Sequence, residues 1–240
     1  MGDILTIFLL IFAVVIGGFI VSVVDAYKQK SLIKMMLAFS GGFLLSIAFV
    51  HFLPELYASE KAQEIGLFIL IGFLIQLLLE FFSGGIEHGH IHIHKNKRIP
   101  WSLFIALSVH SFIEGIPLAT SAHVHHDHLS GDSLLFGILF HQTPVAIALM
   151  TLLKGSDVPI KKAWLVLMAF AVMTPLGLVF GIFGHAFIDS FSMNLLLAIV
   201  VGMFFHISTT IIFESSDNHK FNLAKLGSIF VGVVLAILIA

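Results

Sequence analysis

The chain has 240 residues, of which 58% are hydrophobic and only 11% charged, against about 25% charged in an average soluble domain. So few charges cannot coat a soluble globule of this size. A net charge of −2 with 12 Lys and Arg, and no Cys, also excludes a nucleic-acid-binding chain, disulfides and thiolate metal sites. The mean hydropathy of +1.06 leaves a polytopic helical membrane protein embedded in a lipid bilayer. Histidine stands out: there are 14, more than Lys and Arg combined.

A spanning helix needs about 20 mostly apolar residues. In chain order, runs of that kind occupy about 4–24, 33–53, 65–83, 101–121, 133–153, 163–185, 192–213 and 222–240. They are continuous rather than alternating, which excludes a strand barrel. The expected fold is therefore all-α, one membrane domain over 1–240 with eight transmembrane helices and short loops. The first run lacks a basic leader and a cleavage site and reads as a retained helix.

The basic residues support this count. Lys28, Lys30, Lys34, Lys95, Lys97, Arg98, Lys154, Lys161, Lys162, Lys220 and Lys225 fall on alternate connections, 11 of the 12. The opposite connections carry only Lys61, among Glu55, Glu60 and Glu64. Because basic loops stay cytoplasmic, both termini are expected outside, in a plasma or bacterial inner membrane.

Ionisable groups at bilayer depth cost a few kcal/mol and mark paths or binding sites. The fourth run reads His110-Ser111-Phe112-Ile113-Glu114-Gly115, with His110 and Glu114 four apart on one helix face. The fifth reads His141-Gln142-Thr143-Pro144. Imidazole and carboxylate together suit zinc, iron, manganese and similar divalent ions. Pro117, Pro144 and Pro175 lie inside the fourth, fifth and sixth runs. Each frees a backbone carbonyl, as expected around a mid-membrane binding site.

Two His-rich connections flank this centre. The cytoplasmic loop 84–100 holds His88, His90, His92 and His94, and the outer one holds His123, His125, His126 and His128 beside Asp127. Short His tracts bind divalent ions reversibly, which suits capture on one face and buffering on the other. At the outer end of the second run, His51 and Glu55 are four apart and form a candidate entrance site. Asp25, Glu80 and Glu214 lie near cytoplasmic ends, where an exit path and snorkelling are equally good explanations.

These residues together resemble the ZIP (Zrt/Irt-like) family of metal transporters. His110-Ser111-Phe112-Ile113-Glu114-Gly115 is similar to the family's fourth-span signature, and His141 with Pro144 to its fifth. Met173-Thr174-Pro175-Leu176-Gly177 is similar to the sixth-span pattern, and His51-Phe52-Leu53-Pro54-Glu55 to the end of the second. The resemblance implies eight spans and movement of one rigid helix group against another. It also implies uptake of Zn²⁺, or of Fe²⁺, Mn²⁺ or Cd²⁺, into the cytoplasm, with no organic cofactor. Many bacterial members have a two-metal site. Here Ser111, Gln142, Val145 and Thr174 occupy positions where they carry Asn or acids. That implies a single-metal site at His110, Glu114 and His141, with Ser111 and Gln142 as accessory candidates. His206, where the family usually has an aromatic, is a candidate replacement ligand.

The expected path runs from an acidic outer vestibule to the central site and then to the cytoplasmic His loop. There is no GxxxxGK[ST] signature for ATP. A competing reading is an intramembrane zinc hydrolase, since two His and one Glu with an open position also activate water. Against it, the chain has no HExxH and no GxSxG. Gly17-Gly18 and Gly41-Gly42 suggest close helix packing, within one chain or between two copies of a homodimer.

Overall fold

The computed structural model describes residues 2–23, 26–58, 61–84, 98–121, 128–184, 190–214 and 223–239. Among the described residues the fold is all-helical, without strands. The apolar runs become α1 (Asp3–Val23), α2 (Ala26–Ile47), α4 (Ala62–Ser83), α7 (His128–Gly155), α10 (Ser190–Glu214) and α11 (Leu223–Ile239). Two further runs are each broken in two. The fourth gives α5 (Trp101–Gly115) and α6 (Leu118–Ser121), and the sixth gives α8 (Ile160–Ala171) and α9 (Met173–Gly184).

The breaks follow from proline chemistry. Pro117 has no N–H, and its ring crowds the carbonyl of Ile113 four residues back. That carbonyl instead accepts the Ile116 N–H at 3.3 Å, a tighter turn that ends α5. Val172 separates α8 from α9 just before Pro175, and the Leu176 N–H returns to the Val172 carbonyl at 2.9 Å. Pro144, by contrast, sits inside α7 without interrupting it. α2 passes through a π-helical turn, Ala48–Phe52, before α3 (Leu53–Tyr57). The α4 terminus is a left-handed Gly84 at φ 64°, whose N–H caps the Glu80 carbonyl.

Among the described residues, six stretches are long and apolar enough to cross a bilayer: Asp3–Val23, Leu32–Tyr57, Ala62–Ser83, Ser133–Gly155, Ile160–Gly184 and Ser192–Phe213. The fourth and eighth runs fall short of that length. Trp101–Gly115 stops at the Pro117 turn, and Leu223–Ile239 has 17 residues. Large apolar side chains such as Phe8, Phe12 and Phe19 on α1, and Leu70, Leu74 and Phe81 on α4, are exposed, a surface suited to hydrocarbon rather than water.

The helices pack as two groups. α2, α4, α10 and α11 form one; α1 and α5 to α9 form the other. The main contacts between the groups are α2 with α7 and α4 with α5. Glycines set the tight crossings. A Cβ on Gly202 would strike the Ile69 carbonyl of α4, and one on Gly232 the Phe39 carbonyl of α2. Gly17 meets the α7 backbone, Gly18 meets Trp164 and Leu167 of α8, and Gly41 and Gly42 meet Ile211 and Ile229. The two Gly-Gly pairs therefore serve contacts inside the chain and supply no argument for a homodimer. At the α2–α7 boundary, Phe140 makes edge contacts with Phe39 and Phe43, with centroids 5.3 and 5.0 Å away.

Candidate metal centre

His110 and Glu114 project from one face of α5, one helical turn apart, with His110 Nε2 3.1 Å from Glu114 Oε1. His141 arrives from α7, its ring 5.6 Å from that of His110 and nearly perpendicular to it. One ligand atom from each of the three lies within 4.8 Å of the others. Their relative exposures are 1%, 0% and 1%, so the group is dry. Neither Glu114 oxygen accepts a hydrogen bond. A buried carboxylate so placed is costly unless a cation compensates it. Two imidazoles and one carboxylate converging on one point form a suitable donor set for a divalent transition-metal ion.

The second nitrogen of each imidazole is also held. Gln76 Oε1 on α4 lies 2.9 Å from His110 Nδ1, and Ser40 Oγ on α2 lies 3.3 Å from His141 Nδ1. Both residues are fully buried. Each sits in an apolar run and is not among the candidate residues that the sequence pattern marks out. Gln76 carried a usable signal: it is the one polar side chain in the apolar stretch 65–79 of α4, one turn before Glu80.

The accessory candidates divide. Gln142 is buried beside the centre in sequence, and its amide donates to Thr174 Oγ1 of α9, while Gln142 Oε1 has no hydrogen-bond partner. Two of the departures from the two-metal pattern thus contact each other. Ser111 and Val145 are buried as well. His206 stands apart from the central group. Its Nε2 pairs with Glu80 Oε2, and its ring meets the edge of Phe73 with centroids 4.8 Å apart. Glu80 therefore turns into the bundle rather than snorkelling outwards. The hydroxyls of Thr209 and Thr210 bond to backbone carbonyls of their own helix.

At the other end of α2, His51 lies in the π-helical turn, half-buried, its Nε2 without a hydrogen-bond partner. Glu55 is exposed. Glu64 forms a long, exposed pair with Lys61 at 3.9 Å. His88, His90, His92, His94, His123, His125 and His126, with Asp25 and Glu60, lie outside the described residues. His128 begins α7, but its side chain, like that of Glu214, is also outside them.

This site on this helical fold agrees with the comparison to known proteins. The model of a family described as ZIP zinc transporter matches residues 2–100 and 85–240. The chain belongs to the ZIP zinc transporter family. It is also similar to Protein zntD of Dictyostelium discoideum, 26% identical over 153 residues, covering 58% of this chain and 22% of that protein. The chain thus spans about a fifth of the length of that curated relative. The family is one of transporters, and the hydrolase alternative finds no support in it.

Proposed function

We propose that this protein carries zinc, or a similar divalent ion such as Fe²⁺, Mn²⁺ or Cd²⁺, across a plasma or bacterial inner membrane into the cytoplasm. The observation that carries this reading is the buried His110, Glu114 and His141 group, with both Glu114 oxygens lacking a donor. In the proposed topology all eight runs cross the bilayer as one membrane domain and both termini lie outside. The Trp101–Ser121 stretch crosses despite its break, because neighbouring helices cover backbone at a proline turn. The 17-residue α11 spans about 25 Å, enough with flanking residues for a thin bilayer.

The ion enters past His51, Glu55 and the outer His tract, loses water, and binds His110, Glu114 and His141. Glu114 supplies the charge that offsets desolvation. Binding requires neutral histidines, so metal competes with protons. The direct Gln142–Thr174 contact favours a single-metal site, because these two positions engage each other and offer no carboxylate. Glu80 follows Gln76 by one turn of α4, about 6 Å along the axis. The Glu80–His206 pair is thus the next polar station towards the His88–His94 loop.

Zinc flux into proteoliposomes tests this. Metal-dependent uptake by the intact chain should vanish in folded His110→Ala, Glu114→Ala and His141→Ala. Uptake that survives all three would place the path elsewhere, with His206 and His51 the next positions to examine.

A further inference from the structure

The ligands come from one helix group, yet the atoms that hold their rings come from the other. Gln76 belongs to α4 and Ser40 to α2, and each meets its histidine at one of the two main contacts between the groups. The amide oxygen of Gln76 can only accept, so His110 Nδ1 carries the proton. The lone pair is thereby fixed on Nε2, the atom 3.1 Å from Glu114. The Ser40 hydroxyl, 3.3 Å from His141 Nδ1, is able to accept from it in the same way and so leave Nε2 for the ion, although a hydroxyl does not by itself set the tautomer. A metal-binding imidazole owes both its orientation and its basicity to such a partner on its other nitrogen.

We infer that Gln76 and Ser40 are positioning residues for the metal ligands, supplied across the boundary between the helix groups, so that the site has its full affinity only in this register of the two groups. This rests on the transport reading above. Any displacement of α5 along α4 would break the Gln76 contact, return rotational and tautomeric freedom to His110, and leave the ion held less tightly. Loosening on departure from this register gives release without a change of ligands.

The test is zinc titration of the purified full chain, with isotope-labelled histidine NMR to report the tautomer and flux to separate KM from turnover. Gln76→Leu keeps the volume and removes the acceptor. It should weaken zinc binding by about 10- to 100-fold, the usual cost of such a partner. It should also mix the His110 tautomers, and raise KM while turnover is kept. Gln76→Glu, which still accepts, should retain the wild-type tautomer and most of the affinity. Ser40→Ala, whose contact is longer, should have a smaller effect of the same kind. Gln76→Leu with wild-type affinity and tautomer overturns the inference, as does Gln76→Glu behaving like Gln76→Leu. If Gln76→Leu does not fold, Ser40→Ala decides: unchanged affinity and tautomer overturn it. His110→Ala separates the two levels. If that variant binds zinc normally, the site assignment itself fails. If it abolishes binding while Gln76→Leu changes nothing, only the positioning role falls.

Discussion

Gly115→Ala is the smallest change that should disturb the metal centre without touching a ligand. Gly115 closes α5 against α9, and Gly177 of α9 faces back to the Phe112 carbonyl. A Cβ at 115 would lie 3.0 Å from Leu178 N and closer still to the Thr174 carbonyl oxygen. Both obstacles are backbone, so the helices must separate by about 1 Å to regain van der Waals distance. Overpacking of this kind costs about 1–3 kcal/mol, and alanine's better helix propensity returns at most about 1. The net loss of stability should be about 1–2 kcal/mol.

Zinc affinity should suffer more than that stability figure suggests. Glu114 precedes the substituted residue, and Thr174, whose carbonyl is struck, is the partner of Gln142. Metal ligands tolerate errors of only about 0.2 Å. A ligand displaced by a large part of 1 Å should therefore weaken zinc binding by about 10- to 100-fold, and uptake at low zinc should fall with it. The assay is zinc titration with thermal unfolding on the same preparation. Gly227→Ala is the control: nothing lies within 4 Å of its Cβ position on α11, so stability should hold or rise by up to about 1 kcal/mol. A Gly115→Ala protein that binds zinc and melts like the wild type would refute the claim that α5–α9 backbone contact sets Glu114.

Thr174→Glu combined with Gln142→Asp restores two of the absent acids, so titration should show two zinc ions per chain in place of one. Zinc at about 100 times its Kd should stabilise the wild type by about 2.7 kcal/mol in thermal unfolding and leave His141→Ala unmoved. Glu80→Leu alone removes the carboxylate paired with the buried His206. After allowance for the partial exposure of Glu80, that should cost about 1–2 kcal/mol. Adding His206→Phe, which packs on Phe73, should recover the stability but not the rate of zinc uptake.

Much of this was legible in the chain. Long apolar runs dictate helices because no other element satisfies its own backbone in hydrocarbon. The four-residue spacing of His110 and Glu114 places them on one face in any α-helix. What could not be read was distance across helices. The residue types and the resemblance group His141 with His110 and Glu114 without fixing the distance between them, and nothing in the local pattern assigns His206 to Glu80 rather than to the centre. Those pairings depend on helix crossings set by glycines whose partners lie far away in sequence, as with Gly202 and Ile69. Gln76 and Ser40 were hidden for the same reason. A polar residue in an apolar run shows its purpose only when the facing helix is known. The broken fourth run was foreshadowed by Pro117, but the position of the break, after Gly115, depends on which carbonyl accepts the Ile116 N–H.

The composition of the centre also bears on how a transporter works rather than merely binds. Glu114 is the one carboxylate in the group, so it cancels one of the two charges of a bound Zn²⁺. The neighbouring positions that could have added charge hold the neutral Gln142–Thr174 pair. Each further carboxylate in a dry site would deepen the well by Coulomb attraction that water does not screen. Throughput requires binding strong enough to strip water and weak enough to let go. On the proposed reading, a neutral pair beside a single carboxylate sets that balance towards release, with Gln76 and Ser40 lending affinity while the two helix groups are in register. On this argument the Thr174→Glu, Gln142→Asp protein should bind zinc more tightly than the wild type and transport it more slowly. A variant that gained affinity and rate together would show that release is limited elsewhere on the path.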